Sequence, residues 1–199
     1  MKNFNFPFFS TSMSEFWRRW HISLSTWILD YLYTPIAINR RYWGVWGVVF
    51  AAVVSFTLSG LWHGAAWTFV LWGLLHGLVL GYEVLTKKKR KRWSKKMGVP
   101  YIWLSRLLVF AFWVVTLTIF RAQSIEQAWG MFSGIFSPTF FENPQLNLSL
   151  LLWAAGLLVF EYFQRNKEHG LDVKGYHYTI RWSLYALAVI CIFSSENLN

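Results

Sequence analysis

Between Trp43 and Tyr82 the sequence carries no Asp, Glu, Lys or Arg. A helix needs only about 20 apolar residues to cross a bilayer, so this run is too long for one crossing and must fold back on itself. The expected break is Gly60-Leu61-Trp62-His63-Gly64, where two glycines bracket an imidazole. The run therefore predicts a hairpin of two spanning helices, about Val45–Leu61 and Ala65–Leu85, with His63 at the tip. An ionisable side chain at membrane depth is costly to hold and points to function by default.

The rest of the chain agrees with a membrane setting. Of its 199 residues 55% are hydrophobic and 14% charged, where a soluble domain holds roughly 25% charged residues. The expected class is an all-α polytopic membrane protein with about five transmembrane helices plus interfacial or re-entrant ones. The net charge of +10 reads as topology and contact with anionic lipid head groups, not as nucleic-acid binding. One cysteine, Cys191, supports neither a disulfide framework nor a cysteine metal site. The first residues, MKNFNFPFFSTS, are too polar for the apolar core of a cleavable signal.

We expect one membrane domain over 1–199 in four parts: an extended lead-in and re-entrant helix at 1–42, the hairpin at 43–86, a basic cytoplasmic loop at 87–100, and the remaining spans at 101–199. In the first part, Phe16, Trp20, Ser23, Trp27 and Tyr31 follow a helical spacing. Ser12 or Ser14 is placed to cap this helix, Glu15 suits its first turn, and Pro35 ends it. Arg18, Arg19, His21 and Asp30 are too many polar groups for a lipid-facing span, so a helix buried against protein fits better. In the third part, KKKRKRWSKK holds eight basic residues in ten, which puts it on the cytoplasmic side. By alternation the His63 tip faces outward. Further spans are expected at about Tyr101–Phe120, Leu148–Phe163 and Trp182–Phe193, with a short amphipathic helix over Ser124–Phe136 capped by Ser124.

Five histidines are the main candidates for chemistry. His169 and His177 fall in a polar loop and read as surface residues. His76 lies midway along the second span, where a hydrogen bond to a neighbouring helix is the commoner role. It is thirteen residues from His63, about 20 Å along one straight helix, so the two are not expected to pair within it. His63 sits in a glycine-flanked turn where backbone can line a cavity, and a desolvated neutral imidazole makes a good general base. Catalysis and inter-helix packing both stay open for it on the residues alone. His21 has a structural hydrogen bond as its plain alternative. No phosphate-cradling loop, paired-histidine motif or nucleophile elbow is present, and carboxylates are too scarce in the spans to expect a metal.

The segments FWRRWHISLSTWILDYLYTPI, GLWHGAAWTFVLWGLLHG and IFRAQSIEQAW, in that order, resemble the membrane-bound O-acyltransferase family, and within it the bacterial branch of alginate O-acetylation proteins. The likeness runs from about Asn3 to Phe193. It implies that His63 is the catalytic histidine and His21 a second important one. It implies transfer of an acyl group, usually acetyl in this branch, from a cytoplasmic thioester or acyl carrier to hydroxyls of an extracytoplasmic polysaccharide, with no bound cofactor. Arg18, Arg19, Trp20, Trp62 and Asp30 are the expected substrate-binding residues, and Arg18 and Arg19 are suited either to donor phosphates or to lipid head groups. A bacterial inner-membrane location, partner proteins of a polysaccharide acetylation complex and membrane lipids are further expectations. Family members are longer and begin with more spanning helices, so this sequence is expected to be the C-terminal portion of such a protein and to need the missing half. Two other readings are D-alanyl or other acyl transfer to teichoic acid or peptidoglycan, and a non-catalytic membrane scaffold or transport subunit.

Overall fold

A computed structural model describes residues 3–135 and 177–195, together with Ser137, Ala155, Gly156, Val159 and Gly175. The chain divides into two compact units, Met1–Leu146 and Asn147–Asn199. No strand occurs among the described residues, and the all-α membrane class holds. Three helices in the first unit are long and apolar enough to cross a membrane: Val45–His63, Trp67–Met97 and Val99–Arg121.

In chain order the first unit contains α1 (Met13–Trp17), α2 (Ile22–Ile28), α3 (Thr34–Asn39), α4 (Val45–His63), α5 (Trp67–Met97), α6 (Val99–Arg121) and α7 (Ile125–Ile135). The hairpin predicted from the uncharged run is α4 and α5. Its turn lies later than expected. Gly60 stays inside α4, and the chain reverses at Gly64. Gly60 is needed for close approach instead: a Cβ there would lie 2.2 Å from the Phe69 carbonyl oxygen. The facing side of α5 repeats the device every fourth residue. At Gly73 a Cβ would lie 2.2 Å from the Phe56 carbonyl oxygen, at Gly77 2.6 Å from Val53 Cα, and at Gly81 2.8 Å from a Val49 methyl. This small-residue row lets the two backbones pack without intervening side chains, the usual way spanning helices associate in lipid.

The basic run is not a loop. α5 continues through it to Met97, 31 residues in all and about 46 Å long at 1.5 Å per residue. Lys and Arg are good helix formers, nothing in the run breaks a helix, and cations favour a helix C-terminus. Gly98, at φ 61°, ends α5 and at once caps α6, a left-handed turn that glycine adopts without a Cβ penalty.

The lead-in is also more broken than its spacing suggested. Ser12 caps α1 by accepting from the Glu15 amide at 3.0 Å. The helix then stops at Arg18, because backbone from the N-terminal segment takes over the hydrogen bonds: Asn5 donates to the Arg19 carbonyl at 2.8 Å and Ile22 donates to that of Asn3 at 2.9 Å. Between them His21 is left-handed, at φ 44°. Pro35 does not end the next helix but opens α3. The turn before it, Leu29–Tyr33, is a wide π-type turn, whose looser hydrogen bonding accommodates a residue without an N–H.

The Ser124-capped helix is present as α7, with Gln127 donating to Ser124 Oγ at 3.1 Å. Ala128 of α7 packs with Ile119 and Ala122. The fourth expected span lies outside the described residues, apart from Ala155, Gly156 and Val159. The fifth falls in a helix over Tyr178–Ser195, in the second unit.

Candidate active site

α1 and the turn after it meet α4, α5 and α6 at the site. α1 is docked on α5 by Glu83, a carboxylate buried to 9% exposure. Its Oε1 accepts from the Met13 amide at 2.8 Å, its Oε2 accepts from the Ser14 amide at 2.9 Å, and Arg90 pairs with it at 3.1 Å. Arg106 of α6 adds a hydrogen bond to the Phe9 carbonyl at 3.2 Å. So anchored, α1 drives Phe16 and Trp17 into a core completed by Trp72 of α5 and Val109 of α6.

The turn after α1 carries His21 to a cleft of about 150 Å³ between α4, α5 and α6. His63, from the last turn of α4, and His76, from the middle of α5, line the same cleft. His63 and His76 do not share one straight helix. The reversal at Gly64 puts them on two helices, and Trp72 touches both rings, at 5.7 Å and 4.7 Å between centroids.

The three imidazoles are held very differently. His76 is fully buried. Trp17 Nε1–H donates to its Nδ1 at 3.3 Å. An indole nitrogen can only donate, so the proton of this neutral ring is on Nε2. Nε2–H then donates to Thr116 Oγ1 at 3.1 Å, and the Thr116 hydroxyl donates to the Phe112 carbonyl at 3.0 Å. The hydrogen bond to a neighbouring helix expected of His76 is therefore present, twice over.

The His63 imidazole makes no hydrogen bond to the described residues. Aromatic rings surround it, with Trp62 at 5.0 Å, Phe120 at 5.1 Å and Trp72 perpendicular to it. Among the described residues its ring nitrogens have no partner, and they sit in an apolar wall. His21 Nδ1 lies 3.4 Å from Ser23 Oγ, whose own proton goes to Asn3 Oδ1 at 2.9 Å. Nδ1 is then the donor in that contact.

Of the other expected binding residues, Trp20 lines the histidine cleft. Arg18 is at a second, larger cavity of about 480 Å³, walled by Phe56, Leu80 and Val84 and carrying hydroxyls of Ser14, Ser25 and Thr26. Trp62 faces a third, about 330 Å³ and almost wholly apolar. Arg19 is engaged by Glu15 at 2.6 Å, and Asp30 is exposed and lines none of the three cavities. Glu15 itself lies outside the spanning helices. Burial raises its pKa, but hydrogen bonds from Thr11 and the charge of Arg19 outweigh it, so the carboxyl ends below its ordinary value. No cluster of three metal-ligating side chains occurs among the described residues.

Sequence reasoning did not single out Glu83, Thr116 or Trp17. Glu83 had a readable signal, a lone carboxylate between an uncharged run and a basic one. The Gly73, Gly77, Gly81 spacing was another.

The chain is 44% identical over 142 residues to a probable alginate O-acetylase AlgI of Azotobacter vinelandii, an alignment covering 69% of this chain and 26% of that protein. It is 39% identical over 168 residues to the Pseudomonas aeruginosa counterpart, covering 81% and 30%. It is 35% identical over 133 residues to a peptidoglycan O-acetyltransferase of Helicobacter pylori, covering 67% and 24%. The alignments thus take in between 24% and 30% of the length of these relatives. The family description "MBOAT, membrane-bound O-acyltransferase family" matches residues 2–126, which include α1 to α6 and all three cleft histidines. Over that stretch, motif order, helical architecture and family match coincide, and the chain belongs to the membrane-bound O-acyltransferase family.

Proposed function

We propose that this chain carries the histidine site of a bacterial membrane O-acyltransferase, which moves an acetyl group from a thioester or acyl-carrier donor to hydroxyls of an exported polysaccharide. The observation that carries the reading is the meeting of His21 and His63, from separate elements, in one aromatic-walled cleft.

His63 takes the proton of the acceptor hydroxyl as its oxygen attacks the acyl carbon. The new C–O bond forms, the C–S bond of the donor breaks, and the imidazolium returns its proton to the departing thiolate. No bound cofactor enters these steps. His21 binds or orients the donor side. Trp20 contributes an apolar wall, and Arg18 at the larger cavity attracts an anionic donor head. The basic end of α5 orients that cavity toward the cytoplasm by the positive-inside rule, in the inner membrane and within a multi-pass protein completed by further helices. Lipids, a polysaccharide acceptor and proteins of an acetylation complex are its partners in this reading.

The test uses the full-length protein in sealed vesicles, with a labelled acetyl thioester supplied on the face of the basic helix end and a soluble polysaccharide on the other. Ester label on the polysaccharide that disappears in His63→Ala supports the proposal. Label that is independent of His63, or found only on the donor's own face, refutes it.

A further inference from the structure

Among the described residues Trp17 alone lines both the cavity of Arg18 and the histidine cleft. The order of wall residues along α5 puts Val84 and Leu80 at the first, and His76 and Trp72 at the second. A group passing from the basic end of α5 toward His63 meets the Trp17 indole between them. That indole is buried, packed edge-on against Phe56 at 5.0 Å and Trp72 at 5.9 Å. Its N–H is tied to His76 Nδ1, and His76 is in turn tied to Thr116 and so to α6. This chain of bonds accounts for a fully buried histidine that lies on the cleft wall with both nitrogens already engaged.

We propose that Trp17 is a partition that limits the length of acyl group reaching His63, and that His76 is the positioning residue that holds it shut. This inference rests on the acyl-transfer reading. A two-carbon acyl group fits ahead of the partition. Longer chains need the indole to swing, and swinging breaks the hydrogen bond to His76 and leaves two buried polar groups without partners. Removing the indole joins a cavity of about 150 Å³ to one of about 480 Å³.

The experiment compares p-nitrophenyl acetate with p-nitrophenyl hexanoate as acyl donors to water for the full-length protein in detergent. Each turnover transfers the acyl group to water and releases p-nitrophenol. The hexanoate-to-acetate ratio of kcat/KM is expected to rise about tenfold or more in Trp17→Ala, the scale on which pocket size discriminates methylenes. Trp17→Phe keeps a ring in the cluster and is expected to rise in the same direction, which covers failure of the alanine variant to fold. His76→Phe should raise the ratio as Trp17→Phe does, with no further rise in the double variant. His76→Asn, whose amide oxygen can accept from the indole, should return the ratio toward wild type. A purely structural His76 would lower the melting temperature in both His76 variants without moving the ratio. An unchanged ratio in folded Trp17→Ala or Trp17→Phe overturns the partition while leaving His63-dependent turnover intact. Turnover unaffected by His63→Ala overturns the acyl-transfer reading and the partition with it.

Discussion

Glu83 of α5 accepts a hydrogen bond from the Met13 backbone amide at 2.8 Å, across 70 residues of sequence. Met13 and Ser14 are the first two residues of α1, whose amides have no partner within the helix. Glu83 supplies that partner and Arg90 balances its charge. Removing the carboxylate strands both amides and leaves the Arg90 guanidinium with only the Thr11 carbonyl. We expect Glu83→Ala to cost about 3–5 kcal/mol, in the range for breaking a buried pair, read as a lowered thermal midpoint of the full-length protein. An unchanged midpoint would show that α1 is held by apolar packing alone.

The two neighbouring arginines separate by role. Arg19 is engaged by Glu15, and Arg18 is exposed at the larger cavity. Arg18→Ala is expected to raise KM for an anionic acyl donor severalfold with little change in kcat, as loss of a uniform binding contact does. Arg19→Ala should leave KM unchanged and lower the melting temperature slightly. The reverse pattern in steady-state kinetics would exchange their roles.

Acid should loosen the same corner. The Glu15 carboxyl has a folded pKa below its ordinary value of 4.5. A depressed carboxylate adds stability above the unfolded value, and that contribution fades as pH falls through the folded value. The wild-type chain should therefore lose more stability between pH 6 and about pH 3 than Glu15→Gln does. Melting curves of both proteins across that range check this, and parallel curves would contradict it.

Close packing of α4 on α5 gives a sharp contrast between glycines. A Cβ at Gly73 meets the Phe56 carbonyl oxygen at 2.2 Å, whereas one at Gly130 in α7 meets nothing within 4 Å. Gly73→Ala must push two spanning helices apart, and we expect a loss of about 2 kcal/mol or more, as overpacking does. Gly130→Ala should be neutral or stabilising by up to about 1 kcal/mol, the helix-propensity difference. Equal effects in a denaturant or thermal assay would argue against the helix register.

How much of this was legible in the sequence depends on what each signal reports. The uncharged run with His63 near its middle could only be a hairpin, because length alone forbids a single crossing. Charge reports the side of the membrane, not the backbone conformation, so KKKRKRWSKK indicated topology while concealing that α5 runs on to Met97. Apolar spacing placed Phe16 and Trp20 on a helix but could not foresee His21 at a positive φ, which depends on backbone bonds from Asn3 and Asn5. His76 was readable as a hydrogen-bonded histidine. Its partner Trp17 was not, since a pairing between α1 and α5 exists only once Glu83 has docked one on the other.

The most direct measurement is acyl transfer by the full-length protein carrying His63→Ala, compared with wild type at matched melting temperature. The His63 imidazole makes no hydrogen bond to the described residues, so its removal should spare the fold while transfer falls by about a hundredfold or more, the scale of a general base. A stable His63→Ala protein that still transfers acyl groups at the wild-type rate would contradict the account.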